Sequence, residues 1–161
     1  MGFLDRLFGR PAKGEKAPRD RAEKKRLRRA TSSTPEHPTP RDVYLFLVSN
    51  FEAEGKWGRY LTFRDQEDER ERWVQVAFGE TEEEYSVNFP YPHEEDPSGL
   101  ISKLGIPFPT GYVVSEWERR SFATFDGPRC PPSDLADTID ALFTKLLGAP
   151  PNYVVSGRLE G

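Results

Sequence analysis

Apolar and polar residues alternate along three short stretches of the chain, residues 59–64, 72–78 and 85–89. Side chains of a β-strand point to opposite faces in turn, so this period of two indicates strands that are buried on one face. The connections between the stretches, residues 65–71 and 79–83, are short and rich in charge. The pattern predicts an antiparallel meander of three strands. Its apolar face carries Leu61, Phe63, Val74, Val76, Phe78, Tyr85, Val87 and Phe89.

A second pair of strands is predicted at residues 112–117 and 121–125, on either side of the charged turn 118–120. The sequence Asp126-Gly127-Pro128 is typical of a turn, so we expect it to close this hairpin. Near the end of the chain, residues 152–159 are compatible with either a short strand or an irregular tail.

Helix-start signals mark the beginning of the ordered region near Thr39. Thr39 followed by Pro40 is typical of an N-cap and a first helical residue, and Asp42 places a negative charge at the positive end of the helix dipole. Residues 43–48 are six apolar residues in a row, which a buried strand would also show. The capping signals and the continuation to Phe51 favour a helix that is covered on most of its sides.

The clearest helix comes late in the chain, where apolar residues recur at the spacing of one helix face. They are Leu135, Ile139, Leu142, Phe143 and Leu146. Ser133 or Asp134 is the expected N-cap of this helix, and Gly148 is the expected stop. A shorter helix is predicted from an N-cap at Ser98 through Leu104.

In chain order these elements are α-β-β-β-α-β-β-α. They predict a single α+β domain over residues 39–161, in which an antiparallel sheet is packed by helices. The sequence contains no internal repeat long enough to indicate a solenoid.

Charge is divided unevenly between the two ends of the chain. The formal net charge is −4, yet residues 1–39 hold 11 Lys and Arg against 5 Asp and Glu, whereas residues 40–161 hold 12 against 22. Residues 11–39 contain almost nothing apolar, so residues 1–38 are predicted to be a flexible, disordered basic arm. The acidic body argues against nucleic acid as the ligand of the folded domain, because binding of phosphates needs positive charge.

Two groups of residues in the arm are candidates for contact with a partner. Four apolar side chains near the start would share one face of a short helix, and they are Phe3, Leu4, Leu7 and Phe8. Such a piece orders against a membrane surface, a partner groove or the body of its own domain, or else it frays. The second group is either a site for nucleic acid or anionic lipid or a solvated tail. It consists of Lys24, Lys25, Arg26, Arg28 and Arg29.

The sequence contains no motif of a known catalytic or cofactor site. Cys130 follows an arginine and precedes a helix, a position that lowers the pKa of some thiols, but a catalytic thiol normally needs a histidine base. His93 precedes three carboxylates, residues 94–96. Consecutive loop residues point in different directions, so we interpret this group as a solvated acidic loop and not as a metal site. We therefore predict no catalytic, cofactor or metal residues and no enzymatic activity.

The order of elements resembles the type III secretion chaperone-like fold, which also occurs in the bacterial YbjN-like and TY-chaperone families. The resemblance covers roughly residues 39–150. It rests on the helix at 43–51, the meander at 60–89, the middle helix at 100–104, the hairpin at 112–125 and the amphipathic helix at 135–147. The basic arm departs from a plain secretion chaperone. The resemblance implies a non-catalytic bacterial protein that often dimerises and offers its sheet or helix surface to a protein partner.

Five aromatic residues on the predicted strands are candidates for the partner surface, and they are Trp73, Tyr85, Tyr112, Trp117 and Phe122. Such residues either belong to the core or form an exposed aromatic surface for a peptide. We expect a chaperone- or adaptor-like domain that binds another protein through its sheet and terminal helix, as a homodimer or a stable complex. The alternative is a regulator at a membrane surface or on nucleic acid that acts through the arm. The single cysteine and the lack of a signal peptide favour the cytoplasm.

Overall fold

The computed structural model describes residues 30–54, 58–78, 81 and 83–161. Within these ranges the chain forms seven strands and three helices. In chain order they are β1 (Ala30–Thr31), α1 (Pro40–Glu54), β2 (Tyr60–Asp65), β3 (Trp73–Phe78), β4 (Glu84–Pro90), α2 (Pro97–Lys103), β5 (Val113–Glu118), β6 (Phe122–Pro128), α3 (Pro132–Ala141), which continues as a π-helical turn (Leu142–Leu146), and β7 (Val155–Glu160). The predicted α+β fold is confirmed. None of the helices in these ranges combines the length and the apolar composition needed to cross a bilayer.

The seven strands form one antiparallel sheet in the order β1-β7-β2-β3-β4-β6-β5. The predicted meander β2-β3-β4 and the predicted hairpin β5-β6 are both present. Pairing of β4 with β6 joins the two units, and β7 lies between β1 and β2. The sequence of residues 152–159 is compatible with either a strand or a tail, and in the structure it contributes most of the interior strand β7.

The folded body begins earlier than the predicted boundary at Thr39. Strand β1 pairs with β7, and the Ser32 backbone N–H donates to the Val155 carbonyl at 3.1 Å. Residues 30–38 therefore belong to the domain. The sequence does not predict this strand, because two residues are too few to show an alternating period. Residues 1–29, which include all the predicted arm contacts, lie outside the described residues.

Helices α1 and α3 pack on one face of the sheet, and the core lies between them and that face. The Tyr44 ring of α1 is 4.9 Å from the Phe63 ring on β2 and 5.9 Å from the Phe143 ring after α3. Its hydroxyl donates to the Tyr153 hydroxyl at 2.9 Å, which in turn donates to Asp140 at 2.6 Å. Burial raises the pKa of Tyr44 and of Tyr153, so both stay neutral and keep these hydrogen bonds. The predicted apolar strand face and the apolar stripe of the last helix are buried in this core.

The predicted start of α1 is confirmed. The Thr39 hydroxyl donates to Asp42 Oδ2 at 2.6 Å, and the Asp42 backbone N–H donates to the Thr39 hydroxyl at 3.3 Å. The hydrogen bond from Thr39 holds the pKa of Asp42 below its usual value. This reciprocal pair satisfies backbone groups that a helix N-terminus otherwise leaves unpaired.

The predicted caps of the other two helices are wrong, and a proline explains each case. Helix α2 starts at Pro97, so the cap is Asp96, whose carboxylate accepts from the Ser98 N–H at 2.9 Å. Helix α3 starts at Pro132, so Ser133 and Asp134 already lie in its first turn. Proline suits the first helical position because its φ is preset and its missing N–H has no partner to lose there. At the other end, Gly148 has φ of +71°, as the predicted stop requires.

The predicted turn at residues 126–128 is instead the end of strand β6. The Tyr112 ring lies directly against Gly127, where an added Cβ would be 2.2 Å from Tyr112 Cδ2. Glycine is therefore needed for this close approach and not for a turn.

Candidate binding surfaces

The structure separates the five aromatic residues that are candidates for a partner surface. Tyr85, Tyr112 and Trp117 lie on the helix-covered side of the sheet, and Trp73 and Phe122 lie on the opposite side. All except Tyr85 are half-buried. They do not form one continuous surface, because they lie on opposite faces of the sheet.

Tyr85 belongs to the core and has no exposed surface. The Arg129 guanidinium lies 5.8 Å from its ring and 5.6 Å from the ring of Phe78, a cation–π arrangement that closes this end of the core. A second contact fixes the guanidinium, because Arg129 Nη2 is 3.3 Å from Glu52 Oε1 on α1. Burial raises the pKa of Tyr85 to about 12. Tyr85 therefore stabilises the fold and is closed to a surface partner.

Cys130 and His93, the two candidates for nucleophilic chemistry, lie far apart. The Tyr112 hydroxyl donates to the Pro128 carbonyl at 3.0 Å and lies 3.7 Å from Cys130 Sγ. Burial raises the pKa of the Cys130 thiol, the opposite of the lowered pKa that its position before a helix allows. His93 lies at the other end of the β5–β6 hairpin, where its carbonyl accepts from the Arg120 N–H at 3.0 Å. No thiol–imidazole pair is assembled between these two residues.

The carboxylates that follow His93 point in different directions, as predicted. Glu94 forms an exposed ion pair with Arg120 at 2.8 Å, whereas Asp96 caps α2. The Glu95 backbone carbonyl accepts from the Tyr91 hydroxyl at 2.7 Å. In the part of the chain that the structure describes, no three His, Cys, Asp or Glu residues are arranged to hold a metal ion.

An open groove runs along the outer side of α1, and we call it the α1 groove. It is lined by Glu36, His37, Pro38, Asp42, Leu45, Phe46, Ser49 and Asn50. Phe46 lies in the groove with 40% of its surface exposed, and its ring is 4.6 Å from the His37 ring. Among the described residues, Phe46 and Val113 are the large hydrophobic residues that are exposed.

Sequence reasoning missed the α1 groove, although the sequence carries a signal for it. On a helix, residues three or four apart share a face, so residues 43–48 cannot all point to the same side. In the structure the pairs 43–44 and 47–48 are buried, whereas Leu45 is half-buried and Phe46 is exposed. Once the segment is assigned to a helix, the six-residue apolar run therefore predicts an outward apolar pair.

The side of the sheet without helices, which we call the helix-free face, has a polar centre. Strand register places six small or polar residues there, namely Thr62, Gln75, Ala77, Ser86, Asn88 and Thr124. Asn88 Nδ2 donates to the Thr124 hydroxyl at 2.7 Å, and Gln75 Nε2 donates to the Thr62 hydroxyl at 3.3 Å. These pairs cross neighbouring strands and stabilise the sheet.

The described residues thus present two surfaces of different character. The α1 groove is open and only partly apolar, whereas the helix-free face is polar and its centre is closed to solvent. No known protein family, curated protein or solved structure matches this chain significantly. The physical character of the two surfaces is therefore the basis for assigning a function.

Proposed function

We propose that the chain is a non-catalytic, chaperone- or adaptor-like domain that binds another protein through the α1 groove. The observation that carries this proposal is Phe46, a large aromatic residue that stays 40% exposed in a shallow, partly apolar depression. A few aromatic residues, once buried by a partner, supply most of the binding energy of many protein interfaces. Leu45 and Pro38 extend the apolar surface around it.

The groove favours a partner segment that combines an apolar anchor with positive charge. Glu36 and Asp42 lie in its lining, and residues 40–161 hold 22 Asp and Glu against 12 Lys and Arg. Arg41, beside the groove, is engaged with Asp137 at 2.7 Å. An amphipathic helix with Lys or Arg beside its apolar face meets these requirements.

A second copy of this chain fits the groove less well than a different protein does. A twofold dimer through the groove would bring Glu36 and Asp42 of each copy close to the same residues of the other. Like charges placed together across an interface oppose association. The proposal agrees with the resemblance to the type III secretion chaperone-like fold, and the compartment we propose is the bacterial cytoplasm.

Two matched substitutions test the proposal. Phe46→Asp removes the anchor, and Val113→Asp makes the same change at a position that is 63% exposed on β5, away from the groove. The full chain and both variants are used to capture proteins from an extract of the cells that make it. Captured proteins are quantified, and each candidate is then purified and titrated against the three chains by calorimetry.

The expected result is one partner that binds the wild type and the Val113→Asp variant equally and the Phe46→Asp variant at least tenfold more weakly. About 40% of a phenylalanine surface corresponds to roughly 70–80 Å², or about 2 kcal/mol and a 30-fold change in Kd. The proposal is overturned when the purified partner binds the Phe46→Asp variant as tightly as the wild type, or when both variants lose binding equally.

A further inference from the structure

The centre of the helix-free face is closed to solvent, although no described helix or strand packs on it. Its residues are almost fully buried: Thr62 1%, Gln75 5%, Ala77 1%, and Ser86, Asn88 and Thr124 0% exposed. Toward the edges exposure rises, because Trp73 and Phe122 are half-buried and Arg158 is exposed. The burial is therefore strongest over the middle strands β2, β3, β4 and β6.

A sheet face that is open to water keeps its outward side chains partly exposed. Values near zero at several neighbouring positions describe a face that something covers. Outside the described residues the chain has residues 1–29, 55–57, 79–80 and 82, and the last three groups adjoin the ends of β2, β3 and β4. Among these segments, residues 1–29 alone are long enough to cross several strands.

The buried centre also needs hydrogen-bond donors. Within the described residues no donor reaches Gln75 Oε1 or Asn88 Oδ1, although the amide nitrogen of each side chain is bonded to a threonine. A buried acceptor without a donor costs about 1–3 kcal/mol. An occupant that brings N–H groups to this face is therefore favoured over a purely apolar one.

We propose that residues 1–29 of the same chain bind across the helix-free face. This segment contains 11 Lys and Arg against 4 Asp and Glu, so it is rich in N–H donors. Acidic residues Glu84, Glu116 and Asp126 lie on the same face at the β4–β6–β5 end and complement its charge. The apolar residues Phe3, Leu4, Leu7 and Phe8 match the half-buried rings of Trp73 and Phe122.

The connection to the folded body permits this arrangement. Strand β1 begins at Ala30 on one edge of the sheet, and β4 lies four strand spacings away. At about 4.8 Å per spacing, this distance is about 19 Å. A segment as long as residues 9–29 spans about 31 Å even when fully helical and more when extended, so it is long enough for the apolar start of the chain to reach the central strands.

Thiol labelling of the full chain tests the proposal. Cys130→Ser removes the native thiol, and Ser86→Cys places a reporter at the centre of the face. Ser115→Cys provides an exposed reference thiol on β5. The double substitution Leu4→Asp/Leu7→Asp replaces two of the four apolar residues at the start of the arm and puts two negative charges among them. Leu27→Asp makes the same kind of change elsewhere in the arm and serves as the matched control.

We expect the thiol at 86 to react with Ellman's reagent at least tenfold more slowly than the thiol at 115. Leu4→Asp/Leu7→Asp should raise the rate at 86 at least tenfold, whereas Leu27→Asp should change it less than twofold. An unchanged far-UV circular dichroism spectrum and a cooperative thermal transition in each variant distinguish uncovering of the face from loss of the fold. Phe46→Asp should leave the labelling rate at position 86 unchanged. The experiment therefore tests this proposal independently of the proposal that a partner binds in the α1 groove.

Two results overturn the inference. Equal rates at 86 and 115 in the chain with an intact arm would mean that the face is open. Slow labelling at 86 that persists in the Leu4→Asp/Leu7→Asp variant would overturn the role of the arm's apolar residues. In that case charge reversal at Arg6 and Arg10 is the second test, and an unchanged rate there overturns the assignment of residues 1–29 altogether.

Discussion

Replacing Gly127 with alanine tests how the β5–β6 hairpin closes against Tyr112. A Cβ at position 127 would lie 2.2, 2.5 and 2.6 Å from Tyr112 Cδ2, Cγ and Cε2. Carbon atoms in contact are about 3.5–4.0 Å apart, so the rigid ring must move as a whole by about 1 Å or more. That movement takes the Tyr112 hydroxyl away from the Pro128 carbonyl and from Cys130 Sγ.

The expected cost of Gly127→Ala follows from these contacts. Overpacking of this kind costs about 1–3 kcal/mol. Alanine regains about 0.5–1 kcal/mol because it has less backbone freedom than glycine to lose on folding. Three atoms of a rigid ring clash with the added Cβ, which places the overpacking cost in the upper half of its range. The net loss of unfolding free energy is therefore about 1–2.5 kcal/mol, which lowers Tm by roughly 2–10 °C for a domain of this size.

Thermal unfolding followed by circular dichroism measures this loss, with Gly99→Ala as the control. Gly99 lies inside α2 with no heavy atom within 4 Å of an added Cβ, so alanine there should raise stability by about 0.5–1 kcal/mol. In a Tyr112→Ala background, Gly127→Ala should cost nothing further, because the ring is gone. Displacement of the ring should also increase the reaction rate of the Cys130 thiol. A Gly127→Ala variant as stable as the wild type, or a cost that persists without the Tyr112 ring, would refute the reasoning.

Two further predictions concern stability. Asp65→Asn should lower the unfolding free energy by about 2–3 kcal/mol in urea titrations. The substitution breaks the 2.7 Å ion pair between a fully buried carboxylate and the partly exposed Arg72. An unchanged midpoint of urea unfolding would mean that the pair contributes nothing. Thr39→Val should lower Tm by about 2–4 °C at neutral pH through loss of the cap. The pKa of Asp42 is lower in the folded protein than the unfolded value of 3.8, so the carboxylate stabilises the fold above pH 3.8 and this contribution is lost as pH falls through the folded pKa. The difference in Tm between Thr39→Val and the wild type should therefore shrink below about pH 4. A difference that grew there would contradict the account.

Local patterns in the sequence are sufficient to predict most of the elements. The alternation in β2, β3 and β4 assigns Phe63, Val87 and their neighbours to one buried face, and the stripe that includes Ile139 assigns the buried side of the last helix. Both patterns record which side of an element is apolar, and that side is the one that packs in this structure.

Long-range contacts determine what the sequence does not reveal. Strand β7 pairs with β1 and β2, which lie far away in the sequence, and no local period encodes this placement. Gly127 looks like a turn residue in the sequence, because the sequence does not show that its constraint is the ring of Tyr112, which lies just before β5. Alternation places Tyr85 on the apolar face of the meander and Trp73 on the opposite face, so the sequence already carries the signal that Tyr85 is core and Trp73 is not.

The central claim is tested most directly by hydrogen–deuterium exchange of the full chain. Exchange is measured for the chain alone and for the chain saturated with the partner that binds the wild type but not the Phe46→Asp variant. Binding in the α1 groove predicts slowed exchange in peptides covering residues 36–50 and unchanged exchange in peptides covering β5. Protection confined to β5 and β6, with residues 36–50 unaffected, would contradict the claim that this domain binds its partner through the α1 groove.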